Sequence, residues 1–464
     1  MSFPKHITPK GILDAVITPP GSKSITNRAL ILAALAHGKT TLTGALASED
    51  TQVMFDALVQ LGLPLEAKID LCQIDVFGQG GQFPCKQADI YVGNSGTTAR
   101  FLTAMLAFAD GKYRIYGKPR MHQRPIRDLV EALNALGGNV DYEAEKGFPP
   151  ILIKTAAPSR LSAIDTATDT DTCSSSAVSG QPSGVSIPGS ISSQFLTALL
   201  LAAPLAAAKS DVVIDVTGEL VSQPYVEMTL HMMQVFGVSV KTDESFRSFR
   251  LARRDTNAAD RNVHISAYQS PGVYPIEPDA SAASYFFAAA AVCGGSITVR
   301  GLSKHSLQGD VAFAECLQQM NCDVTWNDHS ITVCRPPERP LRGITVDMNS
   351  ISDTAQTLAV VALFAEGATE IRNIEHVRFK ETDRIADLAT ELRRFGATVE
   401  EWQDGLRIIP PPVLFPAAVQ TYDDHRMAMS FAIAGLRVPG VMICDPDCTQ
   451  KTFPGFFDVL EREI

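Results

Sequence analysis

The chain has 464 residues, more than one ordinary hydrophobic core accommodates, so two or three domains are expected. Hydrophobic residues make up 45% and charged residues 20%, as in globular proteins. The net charge of −11 argues against a generally basic nucleic-acid surface, while leaving room for a local cationic cleft. The longest apolar stretches, Phe195–Ala208 and Tyr285–Cys293, are Ala-rich and shorter than a bilayer span. Met1–Lys10 carries no apolar signal-peptide core. Nine scattered cysteines without a CxxC pair read as reduced thiols in the cytoplasm. No membrane or nucleic-acid partner is expected.

In chain order, a first strand is expected over Gly11–Thr18, ending at Pro19-Pro20. A unit then recurs six times: a helix of small apolar residues, a short alternating strand, a polar loop, a second helix closing on Gly, and a further strand. The first helices are predicted over Asn27–Ala36, Thr98–Ala109, Phe195–Ala207, Ala282–Val292, Ala355–Ala365 and Met427–Gly435. The strands that follow them are Gly38–Gly44, Gly111–Gly117, Ser210–Val216, Gly295–Gly301, Gly367–Asn373 and Gly440–Asp445. The glycine leading most of these strands suits a position just past a helix end. The second helices are Thr51–Gly62, Arg127–Gly137, Pro224–Gly237, Asp310–Met320, Thr382–Gly396 and Pro454–Glu463. Copies spaced roughly 70 to 100 residues apart are too long for solenoid repeats. Three such α/β units would build one domain, which puts a boundary near the turn-rich Gln269–Pro275. Residues of about 155–186 are rich in Ser, Thr, Ala and Asp and read as a flexible insertion.

The starts of the small-residue helices concentrate polar chemistry. They are Gly21-Ser-Lys-Ser24, Gly93-Asn-Ser-Gly-Thr-Thr98, Ser190-Ile-Ser-Ser-Gln194, Asp279-Ala-Ser281, Asn349-Ser-Ile-Ser-Asp353 and Tyr422-Asp-Asp-His-Arg426. Any one of them is explained as a helix cap. Several together, aimed at one cleft, would make a multi-anion pocket, because helix N-termini offer free N–H groups and partial positive charge. Cations gather in the same places: Lys23, Arg28, Arg100, Arg124, Lys380, Arg384, Arg426 and Lys451. Lys380 and Arg384, four apart, would share a helix face. Asp353 and Glu381 stand among these cations and are candidate acid–base groups. His37-Gly-Lys-Thr40 lacks the first glycine of a P-loop, and His425 has no second His at metal spacing. Neither a metal nor a nucleotide cofactor is expected.

With these motifs in hand, the chain resembles the EPSP synthases (3-phosphoshikimate 1-carboxyvinyltransferases) of the enolpyruvyl transferase family. The resemblance runs from about Pro19 to the C-terminus through PGSKSITNRAL, GNSGTTARF, PRMHQRPI, GSISSQFLTALL, QPYVEMT, DASAASYF, KHSLQGDV, FKETDRI, TYDDHRMAM and CTQKTFPGFF. It implies an α/β fold of two similar domains, each of three repeated βαβ-type units in an inside-out, barrel-like arrangement, with the active site in the cleft between them. The domains would be 21–272, carrying the insertion, and 1–20 plus 273–464, with two chain crossovers. The implied reaction transfers the enolpyruvyl group of phosphoenolpyruvate to the 5-hydroxyl of shikimate 3-phosphate, on the way to chorismate and the aromatic amino acids. The implied enzyme is a cytoplasmic monomer that needs no cofactor.

The resemblance also assigns residues. Lys23, Ser24, Arg28, Ser192, Ser193, Gln194, Ser222, Tyr225, Asp353, His376 and Lys380 would meet shikimate 3-phosphate. Lys23, Asn94, Gly96, Arg124, Gln194, Arg384, Arg426 and Lys451 would meet phosphoenolpyruvate. Asp353 would take the hydroxyl proton, and Glu381, with Lys23, would protonate the methylene carbon. His376 stands where the family often has Asn, and Phe101 where it often has Pro. A related transferase acting on a UDP-sugar would carry a reactive Cys in an active-site loop, and Arg120–Pro125 has none. An inactive anion-binding paralogue is the other alternative, and the intact Lys23, Asp353, Glu381 and Arg426 speak against it.

Overall fold

The computed structural model describes residues 3–155, 183–207, 211–252 and 268–464. Twelve α-helices occur among them. In chain order they are α1 (Lys23–Leu35), α2 (Glu49–Gln60), α3 (Gly96–Leu106), α4 (Arg127–Ala135), α5 (Ser193–Ala206) and α6 (Gln223–Val235), then α7 (Ala280–Cys293), α8 (Phe313–Gln319), α9 (Ala355–Ala362), α10 (Arg384–Arg394), α11 (His425–Gly435) and α12 (Phe456–Arg462). The odd-numbered helices are the small-residue ones. They are apolar around nearly their whole circumference, so they bury every face. The even-numbered helices have a polar side and pack on the outside.

The buried side chains form two separate clusters. One is centred on α1, α3 and α5, the other on α7, α9 and α11. Around these helices stand five four-stranded sheets, one of three strands and one of two, which stay separate and do not close into a continuous barrel among the described residues. Each four-stranded sheet has the same pattern. A leading strand pairs in parallel with the strand after the buried helix, which pairs antiparallel with a hairpin that follows the outer helix. For Gly111–Tyr116 the parallel neighbour is Gln87–Tyr91, and the hairpin is Val140–Tyr142 with Ile151–Thr155. The unit therefore ends in two strands, one more than the sequence reading allows.

The leading strands of two sheets are exchanged between the clusters. Leu13–Ile17 pairs in parallel with Gly295–Arg300 of the second cluster. Val273–Pro275 pairs in parallel with Thr41–Thr43 of the first, where Tyr274 and Ile276 are buried. Close approach is built in at Gly295, where a Cβ would lie 1.9 Å from the Leu13 carbonyl oxygen.

Two further expectations need correction. The strand-leading glycines mostly do not sit just past a helix end: α1 ends at Leu35 and α9 at Ala362, so Gly38 and Gly367 lie in the turn or strand beyond, at positive φ. Only at α7 does a glycine, Gly294, occupy the C-cap, with Gly295 next to it. The 155–186 insertion is too broad at both ends. Thr155 closes the strand Ile151–Thr155, and Ser183–Ser186 belong to the strand Ser183–Pro188, held in parallel register by Val212–Thr217. The rest of that segment lies outside the described residues.

Candidate active site

The buried helices begin at the seam between the two clusters, and their caps form as the sequence suggests. Ser22, Ser95, Ser192, Asp279 and Asp424 each accept a backbone N–H of the first turn through the side chain. Asp383 does the same for α10. Asp353 is different. It lies in the 3-10 turn Ser352–Thr354 ahead of α9, makes no cap bond, and keeps its carboxylate for the cleft.

A cavity at this seam is lined by Lys23, Ser24, Arg28, Arg124, Ser192, Ser193, Gln194, Ser222, Tyr225, Asp353, His376 and Lys380, with Arg100, Thr97 and Phe101 beside them. An adjoining cavity shares Lys23, Ser24 and Tyr225 and adds Arg426, Asp310 and Ser281. Asn94 and Lys451 line a third opening, across from Asp50. Gly96 sits at the N-terminus of α3, packed so closely that a Cβ would fall 2.5 Å from Arg124 Nη2 and 2.7 Å from Arg100 Nη1.

Two buried carboxylates organise the cations. Asp353 receives Lys380 Nζ at 2.5 Å and Arg384 Nη1 at 3.3 Å on Oδ1, and Arg426 Nη2 at 2.6 Å on Oδ2. Burial alone would raise its pKa, but Arg426, Lys380 and Arg384 outweigh burial and hold it well below the usual carboxylate range. Glu381 receives Lys451 Nζ and Arg384 Nη2, both at 2.8 Å, with Arg124 Nη1 at 3.7 Å. Burial again opposes its charge, and Lys451, Arg384 and Arg124 again prevail. Arg384 completes the set through its Nε, 2.7 Å from Asp424. Lys380 and Arg384 do not share a helix face. Lys380 ends the 3-10 segment Glu375–Phe379 and Arg384 opens α10, yet both reach the same Asp353 oxygen.

The two clusters also touch directly here. Lys451 Nζ donates to the Asn94 carbonyl at 3.2 Å, and Arg124 Nη1 donates to the same oxygen at 3.0 Å. Arg120 donates through Nε to the Glu381 carbonyl at 3.1 Å. His376 Nε2 lies 2.8 Å from Ser352 Oγ and 3.2 Å from Ser222 Oγ. Burial, then Lys380, pushes its pKa down to about 3, so the ring is neutral. Ser222 holds a left-handed backbone, φ 54°, at the start of α6.

Against this, two guanidinium groups stand without a counterion. Arg28 and Arg100 have no carboxylate within 4 Å among the described residues, although both are buried. Arg28 donates to Thr229 Oγ1, the Ser24 carbonyl and the Tyr225 carbonyl. Arg100 donates to the Gly96 and Pro125 carbonyls. Leaving a charge buried and unpaired is costly, and here only carbonyl and hydroxyl oxygens serve as acceptors.

The sequence reading missed several residues that the site brings in. Asp310 accepts Tyr225 Oη–H at 3.1 Å and the Ser281 hydroxyl, while Tyr225 also reaches Asp353 Oδ2 at 3.3 Å. Burial, then the Asp353 charge, raises Asp310 to about 6. In sequence Asp310 looks like an ordinary first-turn acid. Asp424 looks like a cap, which it also is. His425, wholly buried against the same cations, stood in the Asp424-His-Arg426 run without a second His to suggest a role.

The architecture matches a solved EPSP synthase of Acinetobacter baumannii with a TM-score of 0.73 at 24% identity, covering 99% of this chain and 97% of that one. Two clusters of three α/β units with polar helix starts between them thus define an enolpyruvyl transferase fold. The family model for EPSP synthase (3-phosphoshikimate 1-carboxyvinyltransferase) matches residues 7–460. Proteins named 3-phosphoshikimate 1-carboxyvinyltransferase are similar over almost the whole length. That of Herminiimonas arsenicoxydans is 47% identical over 452 residues, 96% of this chain and 94% of the relative. That of Trichormus variabilis is 46% identical over 452 residues, 96% and 95% respectively. The chain belongs to the EPSP synthase family and is an enzyme of that class.

Proposed function

We propose that the enzyme carries out its transfer in the seam just described, with the residue roles that follow. The enolpyruvyl group of phosphoenolpyruvate moves to the 5-hydroxyl of shikimate 3-phosphate, and inorganic phosphate is released. The observation that carries the reading is the buried guanidinium of Arg28, with no carboxylate within 4 Å among the described residues, in one cavity with Asp353, a carboxylate surrounded by Lys380, Arg384 and Arg426.

Lys23, Ser24, Arg28, Ser192, Ser193 and Gln194 hold shikimate 3-phosphate. Ser222, Tyr225, His376, Lys380 and Asp353 face its ring hydroxyls. Lys23, Asn94, Gly96, Arg124, Gln194, Arg384, Arg426 and Lys451 hold the phosphate and carboxylate of phosphoenolpyruvate. Arginine suits such planar anions because its fork donates two parallel hydrogen bonds.

The low basicity of Asp353 and Glu381 fits this assignment. Asp353 and Glu381 hold the cations assigned here to phosphoenolpyruvate: Arg426 and Arg384 on the first, Lys451, Arg384 and Arg124 on the second. When substrate anions take Arg426, Arg384, Lys451 and Arg124, both carboxyl groups lose the partners that depress them and their pKa values rise. Asp353 then becomes a competent base and Glu381 a competent acid. The 5-hydroxyl oxygen bonds to C2 of phosphoenolpyruvate while its proton passes to Asp353. The C2–C3 π pair takes a proton from Glu381 at C3, giving a tetrahedral adduct. The C2–O bond to phosphorus then breaks, the methyl returns a proton to Glu381, and the phosphate leaves with the proton from Asp353. The cleft supplies orientation and fixed positive charge, and the contacts across the seam exclude water.

Phosphate release is the test. It should need both phosphoenolpyruvate and shikimate 3-phosphate, with one phosphate per carboxyvinyl ether formed. Release from phosphoenolpyruvate alone, or none with both at saturation, would overturn the proposal.

A further inference from the structure

Arg28 is held in an aromatic slot. Its Cζ lies 5.4 Å from the centroid of the Phe101 ring and 5.7 Å from that of Tyr225. Phe101 is 1% exposed and Arg28 3% exposed, so the contact is desolvated, where cation–π attraction is strongest. Three of the five guanidinium donors are spent on Thr229, Ser24 and Tyr225. The others remain for the cavity that Arg28 lines. With no carboxylate within 4 Å to hold the charge, the two ring faces and three oxygen acceptors carry that task among the described residues. Phe101 comes from α3, Arg28 from α1 and Tyr225 from α6, so the slot joins three units of the first cluster.

We propose that Phe101 is a positioning residue for shikimate 3-phosphate, its ring face fixing the Arg28 guanidinium so that its remaining donors meet an anionic group of that substrate. The inference rests on the reading of Arg28 as a ligand of shikimate 3-phosphate. It adds that a residue with no polar atom tunes affinity for one substrate and not the other. A ring at this position supplies π density to a buried cation. An aliphatic side chain of similar bulk fills the same space without it.

The experiment compares Phe101→Leu, Phe101→Tyr, Arg28→Ala and the Phe101→Leu/Arg28→Ala double variant. Dissociation constants for shikimate 3-phosphate are measured by calorimetry, and KM is measured for both substrates. Phe101→Leu should weaken shikimate 3-phosphate about three- to tenfold, the range of one desolvated cation–π contact. KM for phosphoenolpyruvate should stay within about twofold, and Phe101→Tyr should bind like the parent. In the Arg28→Ala background, Phe101→Leu should add nothing. If Arg28→Ala itself leaves shikimate 3-phosphate affinity unchanged, the reading of Arg28 fails, and this inference with it. If Arg28→Ala weakens binding but Phe101→Leu does not, or does so equally with and without Arg28, the positioning role alone is overturned. Should Phe101→Leu fail to fold, Phe101→Met serves as the aliphatic replacement in the same comparison.

Discussion

Arg426 and Asp353 meet twice: Arg426 Nη2 lies 2.6 Å from the Asp353 carboxylate and Nη1 lies 2.9 Å from its backbone carbonyl. Holding both oxygens fixes the carboxylate relative to its own backbone, in a turn that the sequence does not stabilise with a cap. Asp353→Asn keeps the shape and an acceptor but removes the base. The expected outcome is a fall in kcat of about a hundredfold or more, with shikimate 3-phosphate affinity changed only a few fold. Steady-state kinetics together with calorimetry check this. Near-normal turnover would remove Asp353 from proton transfer.

Gly96 offers a prediction about shape. An added Cβ would fall 2.5 Å from the end of Arg124 and 2.7 Å from that of Arg100, so both guanidinium groups must shift. Gly96→Ala should therefore raise KM for phosphoenolpyruvate about tenfold, the cost of misplacing one charged contact. The dissociation constant for shikimate 3-phosphate should move little. Equal effects on both substrates would mean that Gly96 serves the helix and not the subsite.

Asp310 gives a pH signature. It faces Asp353 ahead of α9, Asp279 and Ser281 at the start of α7, Arg426 on α11 and Tyr225 on α6. Burial, then Asp353, lifts its pKa to about 6, above the value of about 4 expected for an unfolded Asp. Between those values the folded chain binds more protons than the unfolded one, so this group's contribution to stability falls as pH rises through about 6. Asp310→Asn removes that dependence. Its Tm relative to the parent should be more favourable at pH 7.5 than at pH 4, in thermal melts at matched ionic strength. A difference independent of pH would show that Asp310 does not titrate there.

The recurring units were readable because the buried helices are built almost wholly from small and apolar residues, and the strands after them alternate. The polar cluster at the seam was readable because capping residues and cations coincide on the helix starts. Two things escaped. Pairing partners such as Val273–Pro275 with Thr41–Thr43 are set by packing between distant segments, and a three-residue strand carries too little pattern to announce its neighbour. Polar residues with two duties were masked by the commoner one. Asp424 caps α11 and also grips Arg384, and only the second duty touches the site. Lys380 was picked out as a site cation, but its four-residue spacing to Arg384 suggested one helix, whereas their convergence on Asp353 comes from a break between two.

The exchange of leading strands has a consequence for biosynthesis. Leu13–Ile17 leaves the ribosome early, yet its partner Gly295–Arg300 is made about 280 residues later. The sheet beside α1 waits in the same way for Val273–Pro275. The first globule draws all its buried core residues from 25–276 and can close once Val273–Pro275 has been made, whereas the second gathers residues from both ends of the chain. In a nascent chain the second globule should therefore stay protease-sensitive longer than the first, until Gly295–Arg300 can take up Leu13–Ile17.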